Sequence, residues 1–303
     1  MKPTNFIKHV TTSLLIVSLV MFCVTSCSKD KEQVVEQKSM VSDNLVLANA
    51  LTSEIADFHT IVMSQYLSTG VLDEAIPLSY EVVSEIKGLL TSQIDNYKFN
   101  YVMWDSSAIT FINDFITCDN LKVLIENSSN LDFGNIQFEN VDNAGLAAYV
   151  NSLDLSMIRD CCGSFENLIL DFISSSNSFD EYEQKYVDYI QERLEPLWYA
   201  GYKDEYFYIK LYFDIGKSTI RYMTDYYLDK LDDQKGPRWD KFKNKVKEVW
   251  NEVKPVVAAD VEGAVAGGML GAVAAGVGAG PGAVTGACAT SAGYCAGAIV
   301  NGL

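Results

Sequence analysis

Apolar side chains recur three and four positions apart from Asp43 to Leu67 (Leu45, Leu47, Leu51, Ile55, Phe58, Val62, Tyr66), the stripe of an amphipathic helix, with Gly70 to close it. The same spacing predicts a second helix that starts near Pro77 and runs to about Asn96, with Val82, Ile86, Leu89, Leu90 and Ile94 inward. A third is expected over Asp105 to Thr117 and a short fourth over Asn120 to Glu126. Asn127 to Asn143 is rich in Asn, Ser and Asp and reads as a long loop. Asp154 is placed to cap Leu155 to Ser174, which Gly163 interrupts. Ser178 with Glu181 forms a capping box for a helix to about Tyr199. The helix from Lys203 to Leu231 stops before Gly236-Pro237. Alternation with period two appears only over Asn135 to Val141. The expected fold class is all-α.

Tyrosine crowds one region, with 11 of the 17 between Tyr182 and Tyr227. Two roles fit these rings: core packing at helical spacing, or a rigid aromatic surface for recognition.

The first residues are of a different kind. Lys2 and Lys8 precede an apolar run from Leu14 to Val24, the charged-then-apolar order of an export signal and too short to span a bilayer. Val24-Thr25-Ser26-Cys27 follows: an aliphatic residue, two small ones and a thiol. This resembles the lipobox of bacterial lipoproteins, and Ser28-Lys29-Asp30-Lys31-Glu32 resembles the charged tether of lipoproteins from Bacteroidetes. The resemblance implies cleavage after Ser26, acylation of Cys27 and residence in the cell envelope, at the outer membrane, facing the periplasm or the outside.

Beyond Ser26 the chain holds 21 basic and 40 acidic residues, a net charge of -19 that repels nucleic acid and anionic lipid. The charge is uneven. Ser28 to Gln234 holds 14 basic and 35 acidic residues, whereas Lys235 to Lys254 holds seven basic and three acidic. The expected organisation is therefore a signal (1–26), a lipidated tether (27–42), an acidic helical domain (43–234), a basic amphipathic helix (235–255) and a hydrophobic tail (256–303). Cys118 could bridge to Cys161 or Cys162 in an oxidising envelope, or all three could be buried thiols.

After Pro237, the residues Trp239, Phe242, Val246, Val249, Trp250 and Val253 make an apolar face beside Arg238, Lys241, Lys243, Lys245 and Lys247. Such a helix suits a membrane interface, with Trp239, Phe242 and Trp250 as interfacial anchors, or it docks on the acidic body. Pro255 is expected to end it. From Gly263 to Leu303 there is no Asp, Glu, Lys, Arg or His, and 12 residues are Gly and 12 Ala. Gly263, Gly267 and Gly271 stand four apart, as do Gly278, Gly282 and Gly286, and again Gly293 and Gly297. Glycine spaced by four gives one helix face on which a second backbone can lie closely. A hairpin turning at Gly278 to Gly282 would have arms of about 27 Å and about 35 Å, near the hydrocarbon thickness. The tail resembles the glycine-zipper two-helix segments of outer-membrane lipoproteins and the Gly/Ala-rich hairpins of pore-forming bacteriocins. Membrane insertion and packing on the body both fit this composition, and so does disorder. Cys288 and Cys295, seven apart, share a face at a spacing that excludes a bridge within one regular helix.

Catalytic signals are few. His59 is the one histidine after the signal and sits on a helix patterned for packing. No nucleophile elbow, His-Glu-x-x-His, Cys-x-x-Cys or phosphate loop accompanies it. The carboxylate pairs Asp225/Asp229 and Asp180/Glu183 read as solvated helix faces. The expectation is a non-enzymatic envelope lipoprotein without cofactor or metal. Its partners would be lipid, through Cys27 and the hairpin, and a second copy through the glycine zipper, with no nucleic acid. The alternatives are a secreted, bacteriocin-like antagonist that permeabilises membranes and, less favoured, an envelope hydrolase.

Overall fold

Helices begin where the sequence supplies an oxygen for the first free backbone amides. In the computed structural model, which describes residues 44–68, 78–126, 136–229, 238–274 and 278–298, Asn44 accepts from the Val46 amide at 2.9 Å and opens α1 (Leu45–Ser68). Ser79 caps α2 (Tyr80–Asn96) and Asp105 caps α3 (Ser106–Phe115). Then follow α4 (Cys118–Glu126) and α5 (Asn143–Val150), capped by Asp142. Asp154 caps α6 (Leu155–Gly163), and a turn at Ser164 separates it from α7 (Phe165–Ser175). The chain divides into two units, 1–40 and 41–303, and the described residues belong to the second. The signal, Cys27, Gly70 and Pro77 lie outside the described residues.

Ser178 accepts from the Glu181 amide at 3.1 Å and opens α8 (Phe179–Tyr189), while the Glu181 carboxylate reaches back to the Asn177 amide at 2.9 Å, one residue beyond the usual capping-box partner. The helix then widens to a π-turn over Ile190–Leu194 and continues as α9 (Glu195–Tyr199). Pro196 has no amide proton to donate, and the Glu195 amide bonds Ile190 five residues back. Next come α10 (Lys203–Asp229), α11 (Arg238–Val273) and α12 (Ala279–Ala298).

All-α is the architecture among the described residues. The 143–150 stretch, to which the sequence assigned no element beyond Asn143, is a helix. Two features differ from the sequence reading. Pro255 does not end the basic helix: α11 runs through it, because Val253, Val256 and Val257 on either side are buried and hold both halves in line. The hairpin turn also comes earlier than Gly278–Gly282. It lies between Val273 and Ala279, with Gly278 at φ +78°, and Pro281 sits in the first turn of α12 where a missing amide proton costs no bond.

α12 stands at the centre. α11 lies along one side of it, and α1, α2, α3 and α4 cover the rest, while α10 closes over α11 and α1. Ala283, Val284, Ala287, Ala289 and Cys295 are fully buried, as are Ala264, Val265 and Ala266 opposite. Among the described residues α11 is long and apolar enough to cross a membrane, and its apolar part is buried inside the fold.

Candidate functional site

The glycine row explains how two helices lie so closely. A Cβ on Gly271 would stand 2.5 Å from the Gly278 carbonyl oxygen and 2.8 Å from Gly282 Cα. One on Gly267 would collide with the Gly282 carbonyl and stand 2.7 Å from Gly286 Cα, and one on Gly286 would collide with the Gly263 carbonyl. Each step of four up one arm thus meets a step of four down the other: 263 with 286, 267 with 282, 271 with 278. This is an antiparallel zipper in which backbone packs on backbone. Gly293 stands outside it, facing Leu121 and Ile125 of α4, and the surroundings of Gly297 lie outside the described residues.

Below the zipper, four helices send polar groups to one buried point. Asp260 of α11 accepts from Thr219 Oγ1 at 2.6 Å and from the Tyr222 hydroxyl at 2.8 Å, both on α10. Ser291 of α12 lies 3.2 Å from the Tyr222 hydroxyl. His59 of α1 brings Nε2 to 3.5 Å from Asp260 Oδ2, with its ring edge-on to Tyr222. His59, Thr219, Asp260 and Ser291 are all fully buried. Burial raises the Asp260 carboxyl to about 7, against the pull of the Ser291, Thr219 and Tyr222 hydroxyls, and lowers the His59 imidazole to about 3. His59 is therefore neutral at physiological pH, and the 3.5 Å approach is not a charged pair. Neither ring nitrogen of His59 has a hydrogen-bond partner among the described residues.

This cluster brings a serine, a histidine and an aspartate together, but not as a nucleophilic relay. Ser291 meets the Tyr222 hydroxyl and His59 bonds neither the serine nor the carboxylate, whereas a base must stand hydrogen-bonded between nucleophile and carboxylate. Full burial also leaves no approach for a substrate. The cluster is a polar staple that joins α10, α11 and α12 where the zipper ends, with His59 of α1 packed against it. A second staple lies farther along α10, where Lys210 Nζ donates to Asp214 at 2.5 Å and to Thr52 at 3.2 Å, and Tyr186 donates to Asp214 at 2.7 Å.

The basic part of α11 docks on the body. Trp239 and Phe242 are buried against Phe179, and Trp239 Nε1 donates to the Ser176 carbonyl at 3.0 Å. Glu166 accepts from Trp250 Nε1 at 3.0 Å and pairs with Lys254 at 2.8 Å. Trp250 also walls an open cleft of about 370 Å³ between α7 and α11, with Leu170, Ile173 and Val246. The carboxylates singled out earlier stay apart from the buried cluster: Asp225 pairs with Arg221 and Arg238, and Glu183 with Lys217. Cys118, Cys161 and Cys162 are free thiols, so the bridge from Cys118 does not form. Most of the tyrosines pack: Tyr182, Tyr186, Tyr206, Tyr208 and Tyr222 are buried, and burial raises their hydroxyl pKa values, whereas Tyr199 and Tyr202 are exposed.

Nothing in the sequence pointed to Thr219, Tyr222, Asp260 and Ser291 as a group, because they lie on three helices whose contributions are more than 30 positions apart in the chain. The one available signal was the pair Asp260 and Glu262, two charges inside an otherwise apolar run between Val256 and Val265. Comparison with known proteins adds no identity: no family model matches the chain, and no curated protein or solved structure does.

Proposed function

We propose that the protein is a non-enzymatic lipoprotein of the bacterial cell envelope, anchored through Cys27, that carries a membrane-associating glycine-zipper hairpin folded inside its own body. The observation that supports this reading is the pairing of a 41-residue stretch without a charged side chain and a sheath of amphipathic helices around it. Such a hairpin is a stable core in water only while α1, α2, α4 and α10 cover it. The same small-residue face would pack helix on helix in lipid. Membrane engagement then requires the sheath to part, with the staple at Asp260 as the contact that must break.

Hydrogen exchange on the full chain, with and without phospholipid vesicles, tests this. Vesicles should raise exchange in α1 and α10 while segment 279–298 stays protected, now by lipid. Unchanged exchange in α1 and α10 would refute hairpin engagement. Release of entrapped dye in the same experiment would favour the secreted, permeabilising antagonist. Acylation is tested separately by fatty-acid labelling in cells, which the Cys27→Ala variant should lose.

A further inference from the structure

Contacts around the closed end of the hairpin bring four distant parts of the chain together. A Cβ on Gly280 would stand 3.3 Å from Leu51 Cδ1 and 3.6 Å from Val102 Cγ1. The Tyr206 hydroxyl donates to Asn49 at 2.5 Å, and its ring meets Trp198 edge-on at 5.6 Å. Glu54 draws the neighbouring segment in, accepting from the amides of Tyr101 at 2.8 Å and Val102 at 2.7 Å. So the first turns of α1, residues 101–103, the turn between α9 and α10, and the hairpin's closed end share one end of the molecule.

Nine large hydrophobic side chains are exposed among the described residues, and six of them lie here: Val46, Leu47, Tyr101, Met103, Tyr199 and Tyr202. Three are almost free of protein contact, at 75% for Val46, 85% for Met103 and 75% for Tyr199. Exposed apolar residues scattered singly need no explanation, but a group gathered at one end marks a contact surface. Tyrosines mixed with aliphatic groups suit the boundary between headgroups and acyl chains. The acids that open α10 are turned inward, Glu205 accepting from the Asp154 amide at 2.9 Å and Asp204 being buried, so they put no charge on this surface. Asn44 lies at this end too, 17 positions after Cys27, and a fully extended chain of that length spans about 60 Å at most.

The geometry points to this end as the face that rests on the phospholipid surface, with those six side chains directed at the bilayer. The inference rests on the reading of Cys27 as the acylated anchor. A lipid surface, rather than a protein partner, follows from that proximity, because an anchor at the head of α1 holds this end against the membrane at high local concentration.

The test uses the full, acylated protein on phosphatidylcholine vesicles. A nitroxide is placed at Met103→Cys or at Asn177→Cys, in a Cys118→Ser, Cys161→Ser background. Asn177 adjoins Ser176, the partner of Trp239 at the start of α11, about 50 Å of helix from the closed end. On vesicle binding, collisions of the 103 probe with a water-soluble nickel chelate should fall severalfold and those with oxygen rise, while the 177 probe is unchanged. Protein that floats with the vesicles yet keeps a water-exposed probe at 103 would overturn the surface and leave the anchor standing. Protein that does not float overturns the anchor, and this surface with it.

Discussion

A single methyl group separates the two kinds of glycine in this chain. At Gly286 an added Cβ runs into the Gly263 carbonyl, with Gly267 Cα 2.9 Å away, and neither backbone can move without separating the arms. Gly286→Ala should therefore lower stability by about 1–3 kcal/mol, the range for overpacking a tight interior. Gly88, exposed in α2, has nothing within 4 Å of such a Cβ, and Gly88→Ala should raise stability by about 0.5–1 kcal/mol. Urea unfolding of both variants checks the pair of signs, and a Gly286→Ala protein as stable as the parent would mean the arms are not in backbone contact. Charge is as consequential as volume at this scale. Asp260, raised to about 7 in the fold from 3.8, gives stability that is complete below 3.8 and is lost as pH rises through 7. His59, lowered to about 3 from 6.5, gives stability present above 6.5 and lost as pH falls through 3. The groups facing Asp260 are His59 from α1, Tyr222 from α10, and Cys288 and Cys295 from α12. Asp260→Asn keeps an oxygen for Thr219 and Tyr222 but cannot ionise, so its stability relative to the parent should grow as pH rises from 3.8 to about 7 and level off above that. If the difference between the two urea midpoints is constant over that range, the carboxyl does not titrate there.

At the scale of the element, the sequence was most legible where one residue sets a boundary. Asp105, Asp154 and Ser178 cap helices because their short side chains reach amides that have no other partner. It was least legible where packing overrules a local preference. Pro255 removes one backbone bond and should stop a helix, yet α11 passes through it because its two halves are buried against α10 and α12. Removing that conflict should be favourable: Pro255→Ala restores an amide donor at a half-buried site, and the thermal midpoint should rise. A fall would show that the proline bends α11 to fit α12 and that the bend matters more than the bond. The π-turn before Pro196 is the same conflict resolved locally, by shifting the hydrogen bond one residue back.

Over the whole molecule, helical periodicity made the fold class readable, but the position of the tail was not, for a physical reason. A surface of Gly, Ala and Val without charge needs an environment free of water, and lipid and a sheath of helices meet that need equally well. The choice depends on whether other helices offer enough apolar surface, a property of the assembled set rather than of any segment. The basic helix was ambiguous in the same way until Glu166, Phe179 and the Ser176 carbonyl were seen to meet it. One consequence is sharp. By composition, a chain ending at Glu262 is an acidic domain relieved of an uncharged tail. In the fold it loses α12 and the zipper half of α11, and with them the partners of Leu51, Val102, Leu121 and Tyr208 and the Ser291 arm of the staple. Such a truncation should keep helical far-ultraviolet dichroism but lose its near-ultraviolet signal and unfold without a cooperative transition. A truncated protein with a sharp urea transition near the parent's midpoint would mean that the body folds alone and that the hairpin is its cargo rather than its core.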